Sequence, residues 1–157
     1  MSRYFDDLAV GEVTELGAHT FTAEEIKTFA RLYDPQPFHL DEEAASRSHF
    51  GALCASGWHT AAIWMRLMVR TMQAQDDAPG APAARLGPSP GFRDMKWLRP
   101  VYAGDTIRYA STLVDKRPSG SRPGWGLVTH RNTGVNQDGV LVFEFQATAF
   151  LERRPEV

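Results

Sequence analysis

The chain has 157 residues, 43% of them hydrophobic and 23% charged, which is the composition of an ordinary globular protein. Its formal charge of −2 gives no electrostatic signature for nucleic acid or an anionic membrane. The N-terminal segment lacks the apolar core of a signal peptide, and Arg66 interrupts the most apolar stretch, so no membrane span is expected. The single cysteine, Cys54, excludes an intramolecular disulfide. We therefore expect residues 1–157 to form one cytoplasmic domain.

The first third of the chain predicts a weak strand over residues 12–20 and then two helices. Thr22 is placed to cap the first helix, and Glu25 stands three residues later, where a capping box requires it. One apolar helix face follows at spacings of three, four and seven: Ile26, Phe29, Ala30 and Tyr33. Pro35 ends this helix near residue 33. A second short helix is expected over residues 41–46, with Asp41 as its cap.

The segment from Gly57 to about residue 74 is the strongest helix prediction. Its polar residues form one narrow stripe: His59, Arg66, Arg70 and Gln73. Almost every other position is apolar. Because so wide an apolar surface must be buried, we expect a sheet to wrap around this helix.

The rest of the chain reads as a long loop followed by strands. Residues 76–91 contain four prolines and three glycines, a composition typical of either a functional loop or a tolerated surface insertion. Strands are predicted over four ranges: 92–98, 106–115, 125–135 and 140–152. The Asp-Gly step before the last strand is a hairpin signal. Helices gathered on one face of an antiparallel sheet give an α+β architecture.

The stretch YDPQPFHLDEEAA, residues 33–45, places an aspartate and a histidine in what we expect to be a proline-stiffened loop. Asp34 and His39 have the chemistry of a general acid/base pair, and Pro35 and Pro37 restrict the backbone between them. Asp-Pro is also a common turn former, so the alternative is that Asp34 turns the chain and His39 packs in the core. Spacing alone favours the turn.

The following stretch, FGALCASGWHT, changes this balance. Gly57 stands where the long helix begins, and the free N–H groups of a helix N-terminus attract a partly negative oxygen. Glycine also allows a ligand to approach the backbone closely. A carbonyl held there beside an acid/base pair suits chemistry next to a thioester. The alternative is a turn glycine with Ser56 as the helix cap.

Together, DPQPFHLDEEAA and FGALCASG resemble the signature of MaoC-like dehydratases and (R)-specific enoyl-CoA hydratases. The similarity extends more loosely to WLRPVYAGDTIR, residues 97–108. It implies a hot-dog fold, in which a sheet of about five strands curls round one helix, and an assembly that is a homodimer or a higher oligomer. It further implies addition or removal of water across the α,β double bond of an acyl-CoA in fatty acid metabolism, with no cofactor besides the CoA thioester substrate.

The resemblance also assigns roles to residues. Asp34 and His39 would be the catalytic pair that holds the water, and the Gly57 N–H would polarise the thioester carbonyl, with Ser56 and Trp58 beside it in the substrate-binding region. One departure is that Gln36 stands where the family has asparagine. Its amide can play the same part from a longer arm, although the pocket and the substrate then differ.

Two other functions compete with a hydratase. A hot-dog thioesterase would release free CoA, but such enzymes place a carboxylate on or near the central helix, and residues 58–72 contain no Asp or Glu. A non-catalytic acyl-CoA binder, or the partner subunit of a dehydratase, would bind the ester without turnover.

The remaining candidates are weaker. His39, His49 and His59 are each ten residues apart, which is not the spacing of a zinc site, so no metal is expected. His59 is interpreted as structural or pocket-lining, Cys54 as packing and Asp41 as a helix cap. Four cations on or beside the strands could meet the phosphates of CoA: Arg93, Lys96, Arg99 and Arg108.

Overall fold

The computed structural model describes residues 3–77, 79–80 and 84–155. A short 3-10 turn at Phe5–Asp7 precedes nine helices and strands in these ranges. In chain order they are β1 (Val13–Thr20), α1 (Ala23–Tyr33), α2 (Pro37–Leu40), α3 (Glu42–Ser46), α4 (Gly57–Asp76), β2 (Gly91–Trp97), β3 (Thr106–Pro118), β4 (Trp125–Val135) and β5 (Leu141–Glu152).

Local capping determines where the first helices begin. The Thr22 hydroxyl accepts the Glu25 N–H at 3.2 Å, and the Glu25 carboxylate accepts the Thr22 N–H at 3.3 Å, so the predicted capping box is confirmed. Asp41 accepts the Ala44 N–H at 2.8 Å and caps α3, as expected. Each cap satisfies an N–H that has no acceptor inside its own helix.

The five strands form one antiparallel sheet in the order β1-β3-β4-β5-β2. The β4–β5 hairpin turns at residues 136–139, as predicted, with Gly139 at φ 76°. Strand β2 lies at one edge of the sheet and pairs with β5 through a register shift between Arg93 and Lys96. Within this shift Asp94 has φ 55°, a left-handed conformation that bends an edge strand.

The sheet curls around α4, which is the predicted hot-dog arrangement within an α+β fold. The main core joins the inner face of α4 to the inner faces of β3 and β5, with Ile63, Tyr109 and Phe143 almost fully buried. The Tyr109 hydroxyl donates to the Thr60 carbonyl at 3.0 Å and ties the helix to the middle of the sheet. In the described ranges, no helix is long and apolar enough to cross a membrane.

Two sequence predictions need correction. His39 lies on the four-residue helix α2 and not in a loop, because Pro37 occupies the first helical position, where its fixed φ and missing N–H are tolerated. In addition, α4 is not wrapped on all sides. Trp58, Met65 and Val69 form an exposed apolar stripe, whereas His59, assigned to the polar stripe, is buried.

The long loop predicted over residues 76–91 is shorter at both ends, since α4 runs to Asp76 and β2 begins at Gly91. Leu86 forms an isolated bridge with Leu151, so this part of the loop lies against the sheet. Residues 78 and 81–83, on which the prediction also falls, lie outside the described residues.

Candidate active site

Asp34 sits at the end of α1, where its N–H donates to the Ala30 carbonyl at 2.9 Å. Pro35 prevents the helix from continuing and turns the chain toward α2. Gln36 then reaches back, and its side-chain amide donates to the Asp34 carboxylate at 2.8 Å. Gln36 therefore holds the carboxylate, which is the part expected of it from the sequence.

His39 is buried, at 5% exposure, and two contacts fix its ring. The Nδ1 atom lies 2.6 Å from the Cys54 carbonyl oxygen, which can only accept, so Nδ1 carries a proton. The Nε2 atom then faces the Asp34 carboxylate at 3.4 Å. A carboxylate oxygen and a ring nitrogen at this separation can share one water molecule between them.

The Asp34 carboxyl is held in its charged form. Burial raises its pKa, but hydrogen bonds from Ser56 and Gln36 and the charge of nearby His39 outweigh this and hold the pKa below its usual value. Cys54 behaves in the opposite way, since burial and the Asp34 charge raise the pKa of its thiol to about 11. The thiol stays protonated, which fits packing and not nucleophilic attack.

Helix α4 begins beside this pair. The Ser56 hydroxyl accepts the Trp58 N–H at 3.3 Å, and the Ser56 carbonyl accepts those of His59 and Thr60. The Gly57 N–H is left without an acceptor in the described part of the chain. Ser56 thus caps α4 and also helps to lower the Asp34 pKa, while Gly57 presents a free N–H at the positive end of the helix.

Asp34, His39 and Gly57 line one cavity of about 410 Å³. The other lining residues from the helical segments include Gln36, Phe38, Phe50, Trp58 and Thr60, and those from the segment after β2 include Leu98, Arg99 and Val101. A charged carboxylate, an imidazole and a glycine with an unpaired backbone N–H therefore line the same space. This set can bind a water molecule and a polarised carbonyl oxygen at once.

Ser56 is the predicted site residue whose position differs from its expected role. It is 1% exposed and does not line the cavity; it caps α4 and helps to lower the Asp34 pKa. Trp58 is 56% exposed and lines the cavity rim, with its ring edge-on to Trp97 at 5.2 Å.

Trp97 is a residue of the candidate site that the sequence did not single out. Its indole N–H donates to the Gly57 carbonyl at 2.8 Å, and its ring covers the glycine. The contact joins residues 40 positions apart, so no local pattern predicts it. The one sequence signal is an aromatic residue at the start of WLRPVYAGDTIR, the segment that resembles the family.

His59 does not line the cavity that contains Asp34 and His39. Its ring stacks on Phe29 at 4.6 Å, and its Nε2 lies 3.4 Å from the Glu25 carboxylate, which also accepts from His19 at 2.6 Å. Burial, partly offset by Glu25, lowers the His59 pKa to about 4. The ring is therefore neutral near pH 7 and structural, as the sequence interpretation had it.

Of the four predicted cations, Arg99 lines the cavity, whereas Arg93, Lys96 and Arg108 do not. Arg93 instead bonds to Gln146. Across residues 3–77, 79–80 and 84–155, no three His, Cys, Asp or Glu side chains converge as metal ligands would.

Comparison with known proteins identifies the family. Residues 8–133 match the MaoC-like domain. The crystal structure of the MaoC-like dehydratase from Rhodospirillum rubrum aligns with a TM-score of 0.82 at 39% identity, covering 98% of this chain and 99% of that one. The uncharacterized protein YdeM of Bacillus subtilis is 29% identical over 148 residues, which are 94% of this chain and 98% of YdeM. A 3-hydroxybutyryl-CoA dehydratase of Methylorubrum extorquens is 28% identical over 120 residues, 76% of this chain and 69% of that enzyme. Because the matched domain spans most of its length, the chain belongs to the MaoC-like family.

Proposed function

We propose that the protein is an acyl-CoA hydratase or dehydratase that adds water to, or removes it from, the α,β double bond of an enoyl-CoA. The observation that carries this proposal is the convergence of Asp34, His39 and the unpaired Gly57 N–H on one cavity. The similarity to a 3-hydroxybutyryl-CoA dehydratase supports the same reaction class.

In the hydration direction, Asp34 and His39 hold a water molecule against the β-carbon of the substrate. One of the pair takes a proton from the water as its oxygen bonds to that carbon. The electron pair of the double bond moves toward the thioester oxygen, and the Gly57 N–H stabilises the charge that develops there. A proton delivered to the α-carbon completes the addition, and dehydration follows the same steps in reverse.

The test is to mix the protein with crotonyl-CoA and follow loss of the conjugated double bond. Asp34→Asn and His39→Asn are each expected to lower kcat by about a hundredfold or more, the usual contribution of general acid/base groups. Asp41→Asn is the matched control, because Asp41 is a nearby carboxylate that only caps α3 and asparagine caps equally well.

Each alternative has its own outcome. Full activity in Asp34→Asn contradicts the proposed role of the pair. Release of free CoA thiol with the double bond intact indicates a thioesterase. Tight binding of the ester without turnover, even by the wild type, indicates a non-catalytic acyl-CoA binder or a partner subunit.

We further propose that the protein forms a homodimer through α4 and β2. The exposed apolar stripe of α4 contains Trp58, Met65 and Val69, and β2 adds Phe92, which is 60% exposed. Strand β2 is also an edge strand, whose unpaired backbone groups can bond to a second copy. An apolar patch next to an open sheet edge is typical of a surface that is covered by a partner.

A further inference from the structure

Arg99 occupies a fixed position at the wall of the catalytic cavity. It follows β2 directly, and the N–H groups of Leu98 and Arg99 donate to the Val142 carbonyl at 2.8 and 3.4 Å. Pro100 comes next and restricts the backbone further. The main chain is thus anchored to β5, while the Arg99 side chain is exposed to solvent.

Arg99 also differs from the other residues of this cavity in its charge and in the absence of an ion-pair partner within the described ranges. Among the described residues that line it, His39 is the only other basic one. No carboxylate in the described ranges lies within ion-pair distance of Arg99, and its guanidinium makes only a long 3.5 Å contact with the neighbouring Leu98 carbonyl. By contrast, Arg85 and Arg131 are each paired with a glutamate. Arg99 is therefore an unpaired guanidinium beside the site of chemistry.

We propose that Arg99 binds an anionic group of the thioester substrate and determines which thioesters the enzyme accepts, a role that rests on the proposed function above. Phosphates and carboxylates both match the planar fork of a guanidinium, which can donate two parallel hydrogen bonds to either. The anion is a phosphate of the CoA moiety or a carboxylate carried by the acyl group.

The first arm of the test separates these sources with Arg99→Gln, which keeps polarity and part of the side-chain length but removes the charge. If the anion is a CoA phosphate, the variant raises KM for crotonyl-CoA about tenfold, since hydrogen bonds to charged groups contribute that much. Its kcat stays near the wild-type value. KM for the N-acetylcysteamine thioester of crotonate, which has no phosphate, is unchanged.

The second arm uses N-acetylcysteamine thioesters whose enoyl chain ends in either a carboxylate or a methyl group. If the anion is an acyl carboxylate, the wild type prefers the carboxylate substrate about tenfold and Arg99→Gln abolishes the preference. Arg99→Lys retains part of either effect, because lysine keeps the charge without the fork. Arg108→Gln is the control, since Arg108 is exposed on β3 away from the cavity.

Unchanged KM values for all of these thioesters in Arg99→Gln would overturn the proposal. If the wild type shows no turnover, calorimetry tests the role of Arg99 instead. It measures binding of crotonyl-CoA and of the carboxylate thioester to the wild type and to Arg99→Gln. In that case the proposed hydratase function is refuted. The proposed role of Arg99 is then supported if its substitution weakens binding, and it is contradicted if binding is unchanged. If none of the thioesters binds, both proposals are overturned.

Discussion

The indole of Trp97 covers Gly57, the residue that presents the free N–H at the start of α4. The indole N–H donates to the Gly57 carbonyl at 2.8 Å, and a methyl group added to Gly57 would lie 2.6 Å from two atoms of the ring. The close contact with the Trp97 ring therefore explains the glycine at this position, in addition to the free N–H that it presents. The bulky ring that closes the helix end leaves no room for a side chain there.

We expect Gly57→Ala to lower both stability and activity. Since the methyl group must displace the Trp97 ring, the cost is about 1–3 kcal/mol, as for other overpacked positions. In a double-mutant cycle with Trp97→Ala, measured by urea unfolding and by kcat/KM, the combined loss should be smaller than the sum. Gly120→Ala, where a methyl group meets nothing within 4 Å, should change neither quantity. Additive losses would show that the ring contact is not the cause.

The double role of Ser56 predicts a loss of activity beyond the loss of a helix cap. Ser56→Ala removes the cap of α4, which costs about 1 kcal/mol of stability, and also one of the groups that lower the Asp34 pKa. Because hydrogen bonds to charged groups contribute strongly, kcat/KM should fall about tenfold or more. Thr22→Ala removes the cap of α1 without touching Asp34, so it should lose similar stability and keep its activity. Equal activity in the two variants would refute a role for Ser56 in the site.

Gln36 is expected to set the acid limb of the pH–rate profile. Its amide is one of the donors that hold the Asp34 pKa below its usual value. Removing this donor in Gln36→Ala raises the pKa, so activity is lost at a higher pH as the solution is acidified. Gln36→Glu should move the limb further, because a second carboxylate opposes ionisation. Profiles of kcat/KM against pH measure this directly, and coincident acid limbs in all three proteins would contradict it.

Local interactions explain why much of the fold was predictable from the sequence. The Thr22 and Glu25 capping box, the Asp41 cap and the hairpin at residues 136–139 each depend on residues within five positions of one another. Helix α2 was missed because four residues are too few to show a helical period, and its Pro-Gln-Pro start resembles a loop.

The contacts that complete the site were not predictable for a different reason. Trp97 meets Gly57 across 40 positions, and Ser56 meets Asp34 across the whole α2–α3 segment. Only the folded sheet and helix bring these residues together. Similarly, an apolar pattern along α4 does not distinguish a face buried in the core from an exposed one, so the pattern predicts burial for Met65 and Val69, which are exposed.

The proposed dimer predicts that charge on the exposed face of α4 produces monomers. Met65 is 52% exposed within the apolar stripe, and a glutamate there would be buried without a partner in the dimer. Met65→Glu should therefore shift the mass measured by light scattering at micromolar concentration from two chains to one. Leu32→Glu is the control, since Leu32 is an apolar residue of α1, away from this face, and is even more exposed, at 69%. A wild type that is monomeric under these conditions contradicts the dimer.

Burial of His59 predicts that the protein becomes less stable in mild acid. Its folded-state pKa of about 4 lies below the ordinary value of 6.5, mainly because burial disfavours the charged ring. Protonation therefore favours the unfolded chain, and stability falls as pH drops from 6.5 toward 4, then levels off.

His59→Phe keeps a ring against Phe29 but cannot be protonated. Urea unfolding should show that between pH 7.5 and 4.5 the wild type loses about 2 kcal/mol more than this variant. The same substitution at exposed His49 should leave the acid sensitivity unchanged. Parallel losses in the wild type and His59→Phe would mean that other groups cause the acid sensitivity, His130 among them, since burial also lowers its pKa.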